Sequence, residues 1–412
     1  DNGGILSSET PTFAHAFSAA GYETVLCGRM HFNGPDQYHG FDKRIHGDAG
    51  GRSLTPEILG SGQNRTNGQT HYAVEVSGYG KNGFQAFDRS VTNTACDYIQ
   101  ANHDRPFLLV IGLMLPHNPL ICEKELFDYY YNQIPPIEPE PETYIENIHP
   151  AIRLWRERRG IEKLSPEQNR RALAAYCGLV TELDRNVGSI QTAMDTANKA
   201  DNTVFAYCSD HGDMASEHGL WWKSNFYDGS ARIPLIVSHP DTLPKGQTRD
   251  CVSSLTDVGP TLLDLAHLDT LPDVSGRSLA AVLSSGLPTD TPHDVFCEYM
   301  GLLGDQPACM IRSKNWKLNY YSEFDSCQLF NLESDPTERN DLARDPACQQ
   351  IVKELKEKID ARWSAASMSS NLGKQHRARQ LIRAAGDKHK PPVESFISSA
   401  HDNAFDFSQL ET

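Results

Sequence analysis

Four short stretches of the chain are apolar without alternation: Thr24-Val25-Leu26-Cys27, Phe107 to Leu115, Val204 to Cys208, and Leu235-Ile236-Val237. Continuous apolar runs of this length read as strands buried on both faces. Between them the period becomes helical. Phe87, Val91, Ala95 and Ile99 fall at helical spacing within 84–101. Leu173, Cys177, Val180, Leu183, Val187, Ile190 and Met194 form one stripe behind the helix-start signature Ser165-Pro166-Glu167. Thr10 as N-cap, Pro11 at the first helical position and Gly21 after the last turn predict an early helix. Another helix is expected after Asp257, through Pro260 to Leu265. Strands alternating with helices predict an α/β fold, with a large, mostly parallel sheet covered by helices on both faces.

Residues 132–150 contain Pro135, Pro136, Pro139, Pro141 and Pro150, show no periodicity, and are expected to form a surface loop flanking a cleft. Near residue 290 the pattern changes to short strand-like pieces, Val295 to Tyr299, Ala308 to Arg312, Trp316 to Tyr320 and Gln328 to Phe330. They predict a small antiparallel sheet, followed by a helix over about 346–364. The expected organisation is a catalytic domain over 1–288, a small C-terminal α+β subdomain over 289–365 and a tail over 366–412. The tail holds a basic stretch, Lys374 to Lys390, then a polar end with Phe405 and Phe407. It reads as solvated or docked on a partner, including a neighbouring copy of the chain, ahead of a nucleic-acid arm.

Composition narrows the function classes. The 412 residues carry 54 Asp and Glu against 38 Lys and Arg, a formal net charge of −16. An acidic surface argues against nucleic acid as the main partner, although a local site can still be positive. No apolar run reaches the ~18 to 20 residues that span a bilayer. None of the ten cysteines forms a CxxC pair, so a zinc ribbon or thioredoxin motif is not expected; most read as small core residues.

Three predicted strands end in polar clusters that a core does not require. Thr24 to Cys27 leads into Gly28-Arg29-Met30-His31-Phe32, Phe107 to Leu115 into Pro116-His117-Asn118-Pro119, and Val204 to Cys208 into Ser209-Asp210-His211-Gly212-Asp213. Open α/β sheets place their sites at the carboxyl ends of strands, so the three clusters are expected to converge. Asp210 and His211 put a carboxylate and an imidazole side by side, which suits a metal-ligand pair but not a whole site. Lys223 follows Trp221-Trp222 and precedes Phe226, a setting for a partly buried ammonium that needs an anion. Arg29, His31, His117 and Lys223 would form a cationic pocket. With a metal at Asp210 and His211, it suits a tetrahedral anion such as sulfate or phosphate.

The order of the segments Gly21 to His31, His39-Gly40-Phe41-Asp42, Pro106 to Pro119, Glu182 to Gly188, Ser209 to Lys223, Ala231 to Val237, Asp257 to Leu265, Gly276 to Leu279 and Leu329 to Pro336 resembles the type I sulfatases of the alkaline phosphatase superfamily. Arg29 to Gln37 and Asp228 to Arg232 are most similar to choline sulfatases and their bacterial relatives. The resemblance implies an alkaline phosphatase-like fold and hydrolysis of a small organic or carbohydrate sulfate ester. It also implies one divalent cation, calcium with manganese or magnesium as alternatives, and a formylglycine hydrate made from a C/S-x-P/A-x-R motif. Carried over by position, Asp210 and His211 would be metal ligands, and His31 would hydrogen-bond the formylglycine. His117 and Lys223 would bind sulfate and assist the departing alkoxide. Arg29 stands where many members have Lys. None of the cysteines fits the nucleophile motif, and the family's paired Asp ligands are not found. The expectation is therefore that both lie on a segment upstream of this one. His211, where many sulfatases have Asn, keeps a phosphodiesterase or phosphonate monoester hydrolase as an alternative. An anion-binding pseudoenzyme is the other alternative.

Overall fold

The computed structural model describes residues 5–49, 68–285, 293–300 and 307–389. The expected domain boundary at 288 and the end of the tail, with Phe405 and Phe407, lie outside the described residues. In chain order the strands are β1 (Glu23–Gly28), β2 (Lys43–His46), β3 (Gly78–Tyr79), β4 (Phe107–Gly112), β5 (Ile121–Cys122), β6 (Phe205–Cys208), β7 (Leu235–Ser238), β8 (Val295–Met300), β9 (Pro307–Ser313), β10 (Trp316–Tyr321) and β11 (Ser326–Asn331). β2, β1 and β4 pair in that order as a parallel sheet.

Continuous apolarity in β1 has a direct cause, because the strand is covered from both sides. Leu26 packs with Ala14 of the helix Phe13–Ala19 and with Phe41, whereas Cys27 packs with Phe87 and Val91 of the helix Gly83–Gln100. The first helix begins later than predicted. Its N-cap is Thr12, not Thr10, since the Thr12 hydroxyl donates to the His39 carbonyl at 2.7 Å and the Thr12 amide donates to His15 Nδ1 at 3.1 Å. The longest internal helix, Pro166–Thr196, opens on the predicted Ser165, whose hydroxyl accepts from the Gln168 amide at 3.2 Å. Its buried stripe runs through Ala172, Ala175, Leu179, Leu183 and Ile190, while Val180, expected inside, is 41% exposed.

Two local expectations are corrected. The proline-rich segment is not a continuous loop: it contains the helix Glu142–Asn147, and Pro150 opens the helix Pro150–Arg159 at the position where a missing N–H costs nothing. β6 and β7 pair antiparallel, and they are less covered than their apolar runs suggest, with Ile236 58% exposed. The start of the basic tail is helical, Ala365–His389. Among the described residues no helix is long and apolar enough to cross a membrane.

The C-terminal strands form the predicted antiparallel sheet, in the order β11-β10-β9-β8. One face, through Cys309, Ile311, Leu318 and Leu329, packs on Leu355 and Ile359 of the helix Gln349–Arg362. The other face, with Ala308, Met310, Tyr321 and Phe330, joins the main core. This second face is also charged. Lys317, 1% exposed, places Nζ 2.7 Å from Asp228 Oδ1 and 2.7 Å from Glu338 Oε1.

His149 fastens the same junction. Its Nδ1 accepts from the Ala151 amide at 3.2 Å, and its Nε2 therefore carries the proton and donates to Ser326 Oγ on β11 at 2.9 Å. Burial, reinforced by Arg344, pushes its pKa down to about 4. The folded state then binds fewer protons than the unfolded chain between pH ~6.5 and ~4, so this group's contribution is complete above ~6.5 and is lost as the pH falls toward 4. Replacement by Asn, which removes the titration, is expected to flatten the fall in denaturation midpoint across that window. An unchanged slope in His149→Asn would contradict this assignment.

Candidate functional site

The site begins where two adjacent strands end. Gly28 of β1 is in register with Gly112 of β4. Gly28 has φ +89°, a Cβ on it would lie 2.4 Å from the Gly112 carbonyl oxygen, and a Cβ on Gly112 would lie 1.7 Å from the Arg29 carbonyl oxygen. Only glycine allows this approach. The Arg29 amide then donates to the Gly112 carbonyl at 2.9 Å, so the chain leaving β1 crosses the end of β4. Arg29 and His31 emerge there, His31 exposed and with φ +59°.

The loop after β4 is fixed from below by Asp88, a fully buried residue of the helix Gly83–Gln100. Its two carboxylate oxygens accept from the Met114 and Leu115 amides at 2.7 and 2.9 Å. Burial raises this carboxyl to about 7, against the lowering effect of those two N–H groups. Two residues later, His117 points its Nδ1 at the Asn118 carbonyl, 2.8 Å away. A carbonyl only accepts, so Nδ1 carries the proton and Nε2 is the free lone pair of the neutral ring.

The third loop repeats this arrangement. His211 Nδ1 lies 2.8 Å from the Gly212 carbonyl, and its Nε2 accepts from Lys223 Nζ at 2.6 Å. Gly212 is anchored by its amide to the Ser230 carbonyl at 2.8 Å. Asp213 closes the return path, because one carboxylate oxygen accepts from the Ala215 amide at 2.9 Å and the Trp222 amide at 2.8 Å. That closure brings Lys223 back beside His211. The His117 and His211 rings are 6.3 Å apart, and Asp210 Oδ1 is 3.7 Å from His211 Nε2.

The electrostatics follow from this crowding of cations. Burial first, and Lys223 second, push His117 down to about 4; the same two causes lower His211. Burial also lowers Lys223, which Asp210 partly opposes and Arg29 reinforces. Five of the six predicted residues, Arg29, His117, Asp210, His211 and Lys223, thus share one field. The sixth, His31, joins them through the backbone beside Arg29.

The donors fit a divalent cation in part. His211 offers a lone pair on Nε2 and Asp210 a carboxylate that is 84% exposed and aimed at the same place. In this conformation Lys223 occupies that lone pair, so cation binding requires the ammonium to turn away. Among the described residues no group of three or more His, Cys, Asp and Glu side chains gathers as a metal site. Asp210 and His211 would therefore supply only two ligands of a shell that needs more.

Other histidine and aromatic side chains lie outside the cluster. His218 is buried, stacked on Tyr227 with its Nδ1 on the Tyr144 hydroxyl, and takes no part in the cluster. Trp155 is a core residue against Trp222, and Tyr129 is 61% exposed. Sequence reading misses Asp48 and Asp88, and places Asp213 in the third cluster as a loop carboxylate. Of the two missed, only Asp88 carries a signal, an acidic residue on the apolar stripe of its helix.

The Sulfatase family profile matches residues 2–268, and that of the N-sulphoglucosamine sulphohydrolase C-terminal region matches residues 216–364. The chain is 31% identical to the choline-sulfatase of Rhizobium meliloti strain 1021, across 93% of this chain and 78% of that protein. It is 30% identical to an arylsulfatase of Clostridium perfringens, across 66% of this chain and 55% of that protein. Its fold matches the phosphonate monoester hydrolase from Silicibacter pomeroyi with TM-score 0.69 at 20% identity, over 87% of this chain and 81% of that one. It also matches BT4656 in complex with its substrate D-glucosamine-2-N,6-O-disulfate, with TM-score 0.67 at 20% identity, over 88% and 83% of the two chains.

Proposed function

The chain belongs to the sulfatase family, and on that premise we propose that it binds and hydrolyses a small organic or carbohydrate sulfate ester at the cationic cluster of Arg29, His117 and Lys223. One observation carries this reading. His117 and His211 both commit Nδ1 to a backbone carbonyl and leave Nε2 for the site, beside the half-buried ammonium of Lys223. Such a cluster is costly without an anion and strongly attractive to one.

Lys223 and Arg29 place positive charge on the sulfate oxygens. Burial, and after it the neighbouring cations, hold His117 neutral; a bound anion opposes those cations and so favours a proton on its Nε2. That proton then passes to the alkoxide oxygen as the S–O bond to it breaks. Asp210 and His211 would hold part of the shell of a divalent cation, calcium in this reading, which would supply further positive charge for the sulfate oxygens and acidify the attacking hydroxyl. The nucleophile is assigned to a formylglycine hydrate hydrogen-bonded by His31, and not to the cysteines of this chain. Burial pushes Cys27, Cys122 and Cys309 up to about 12, the wrong direction for a thiolate. Residues 1–288 are read as the catalytic domain, with the sheet of 289–365 closing on it.

The test is a comparison of initial rates of the full-length, maturation-competent enzyme on 4-nitrophenyl sulfate, 4-nitrophenyl phosphate and a phenylphosphonate ester. The sulfate is expected to give the largest kcat/KM. Faster turnover of the phosphonate or phosphate would replace this reading with that of a phosphoester or phosphonate hydrolase. Tight sulfate binding with no turnover would mark a pseudoenzyme.

A further inference from the structure

We infer that Asp48 is the positioning residue for Arg29 and His31, an inference that rests on the sulfatase reading of those two side chains. β2 runs parallel to β1 and shifts register by one residue at its end, where Leu26 faces Arg44 but Cys27 faces His46. The extra residue carries the chain past the end of β1, and Asp48, two residues beyond β2, arrives beside the Arg29-Met30-His31 turn.

There its carboxylate makes four contacts among the described residues. Oδ2 accepts from the Met30 amide at 3.0 Å and from the His31 amide at 2.6 Å, and stands 3.5 Å from the Arg44 guanidinium. Oδ1 stands 3.5 Å from Arg29 Nη1. The Asp48 side chain is 18% exposed and that of Arg44 1%, so this group has left most of its water for these partners.

The contacts divide into two functions. The two amide bonds hold His31 at φ +59°, a left-handed conformation that a non-glycine residue keeps only where its surroundings impose it. The longer ion pair to Arg29 adds little stability by itself. Its effect is directional, because it fixes where a flexible guanidinium stands before substrate arrives. Asp48 touches neither side-chain tip of His31 nor any reacting atom in this reading, and acts only through the two residues it holds.

The experiment compares Asp48→Ala, Asp48→Asn, His31→Ala and His31→Ala/Asp48→Ala in the full-length enzyme, with 4-nitrophenyl sulfate as the probe and thermal melting as the fold control. Asp48→Ala is expected to lower kcat about 100-fold, the scale of an ångström-sized misplacement, with KM changed less than about threefold. Asp48→Asn keeps a carbonyl acceptor for both amides but loses the charge facing Arg29, and is expected to lose about tenfold in kcat at an unchanged melting temperature. The double variant is expected to fall only about tenfold below His31→Ala, the share that acts through Arg29, since at His31 nothing is left to position. Wild-type kcat in Asp48→Asn, or full additivity in the double variant, would overturn the inference. If Asp48→Ala does not fold, Asp48→Asn alone decides by the same criterion. Wild-type rates in His31→Ala and Arg29→Ala would instead reject the reading of those two side chains, whatever Asp48 does.

Discussion

Replacing Lys317 by alanine is expected to destabilise the folded chain by about 3–5 kcal/mol, the usual cost of removing one partner from a buried ion pair. Its ammonium is the shared counter-charge of two carboxylates, Asp228 and Glu338, each 2.7 Å away. The Glu338 side chain is 2% exposed, and burial raises its pKa against the opposing pull of Lys317. Without the lysine, that carboxylate must either remain charged in a dry site or take up a proton. The damage also travels. Glu338 Oε2 accepts from the Asp228 amide at 2.5 Å, Asp228 opens the short helix Asp228–Ala231, and Ser230 in that helix holds the Gly212 amide next to His211. Neutralising the whole triad, as Lys317→Met with Asp228→Asn and Glu338→Gln, is expected to recover most of the lost stability, because no charge is then left unpaired. Denaturant titration of the single and triple variants measures both effects. A single variant within about 1 kcal/mol of wild type would show that the triad is not the fastening described here.

The second large effect is expected at Lys223. Its substitution by alanine should lower kcat/KM on a sulfate ester by about 10²–10³, the scale of removing one preorganised donor from developing negative charge. Lys223 is half-buried, so its field on a bound anion is screened less than that of a surface lysine. Before substrate binds, the same setting opposes the charge. Burial lowers the Lys223 pKa, and Arg29 adds repulsion. Lys223→Met should therefore be as inactive as Lys223→Ala while melting no lower than wild type. Full activity in either variant would remove Lys223 from the site. A parallel loss of activity and melting temperature in both would recast it as a structural residue.

Much of this was legible in the residues, and the limits were physical. β1 and β4 could be read because continuous apolarity reports burial on two faces. The helix from Pro166 could be read because its cap and stripe are local. Arg29, His117, Asp210, His211 and Lys223 could be grouped because each follows a strand end or a tight apolar turn. What escaped depended on partners far along the chain. Thr12 replaces Thr10 as the cap because His39 supplies an acceptor 27 residues away. Asp48 and Asp88 hold loops 17 to 27 residues distant; nothing around Asp48 says so, and Asp88 shows only as an acidic residue on an apolar stripe. β6 and β7 looked like members of a parallel sheet because an apolar strand does not declare the direction of its neighbour.

The contact between Gly28 and Gly112 has a consequence for anyone wishing to redirect this enzyme. Libraries aimed at new substrates usually diversify every position around a pocket. Here two of those positions have no usable alternatives, since even a single methyl at Gly112 would overlap the backbone of Arg29. Degenerate codons spent on them yield only broken clones. Three residues past Gly28, His31 is exposed but is held at φ +59° through its amide by Asp48. A productive library therefore leaves the strand ends and this turn untouched while it varies the loops that rise above them.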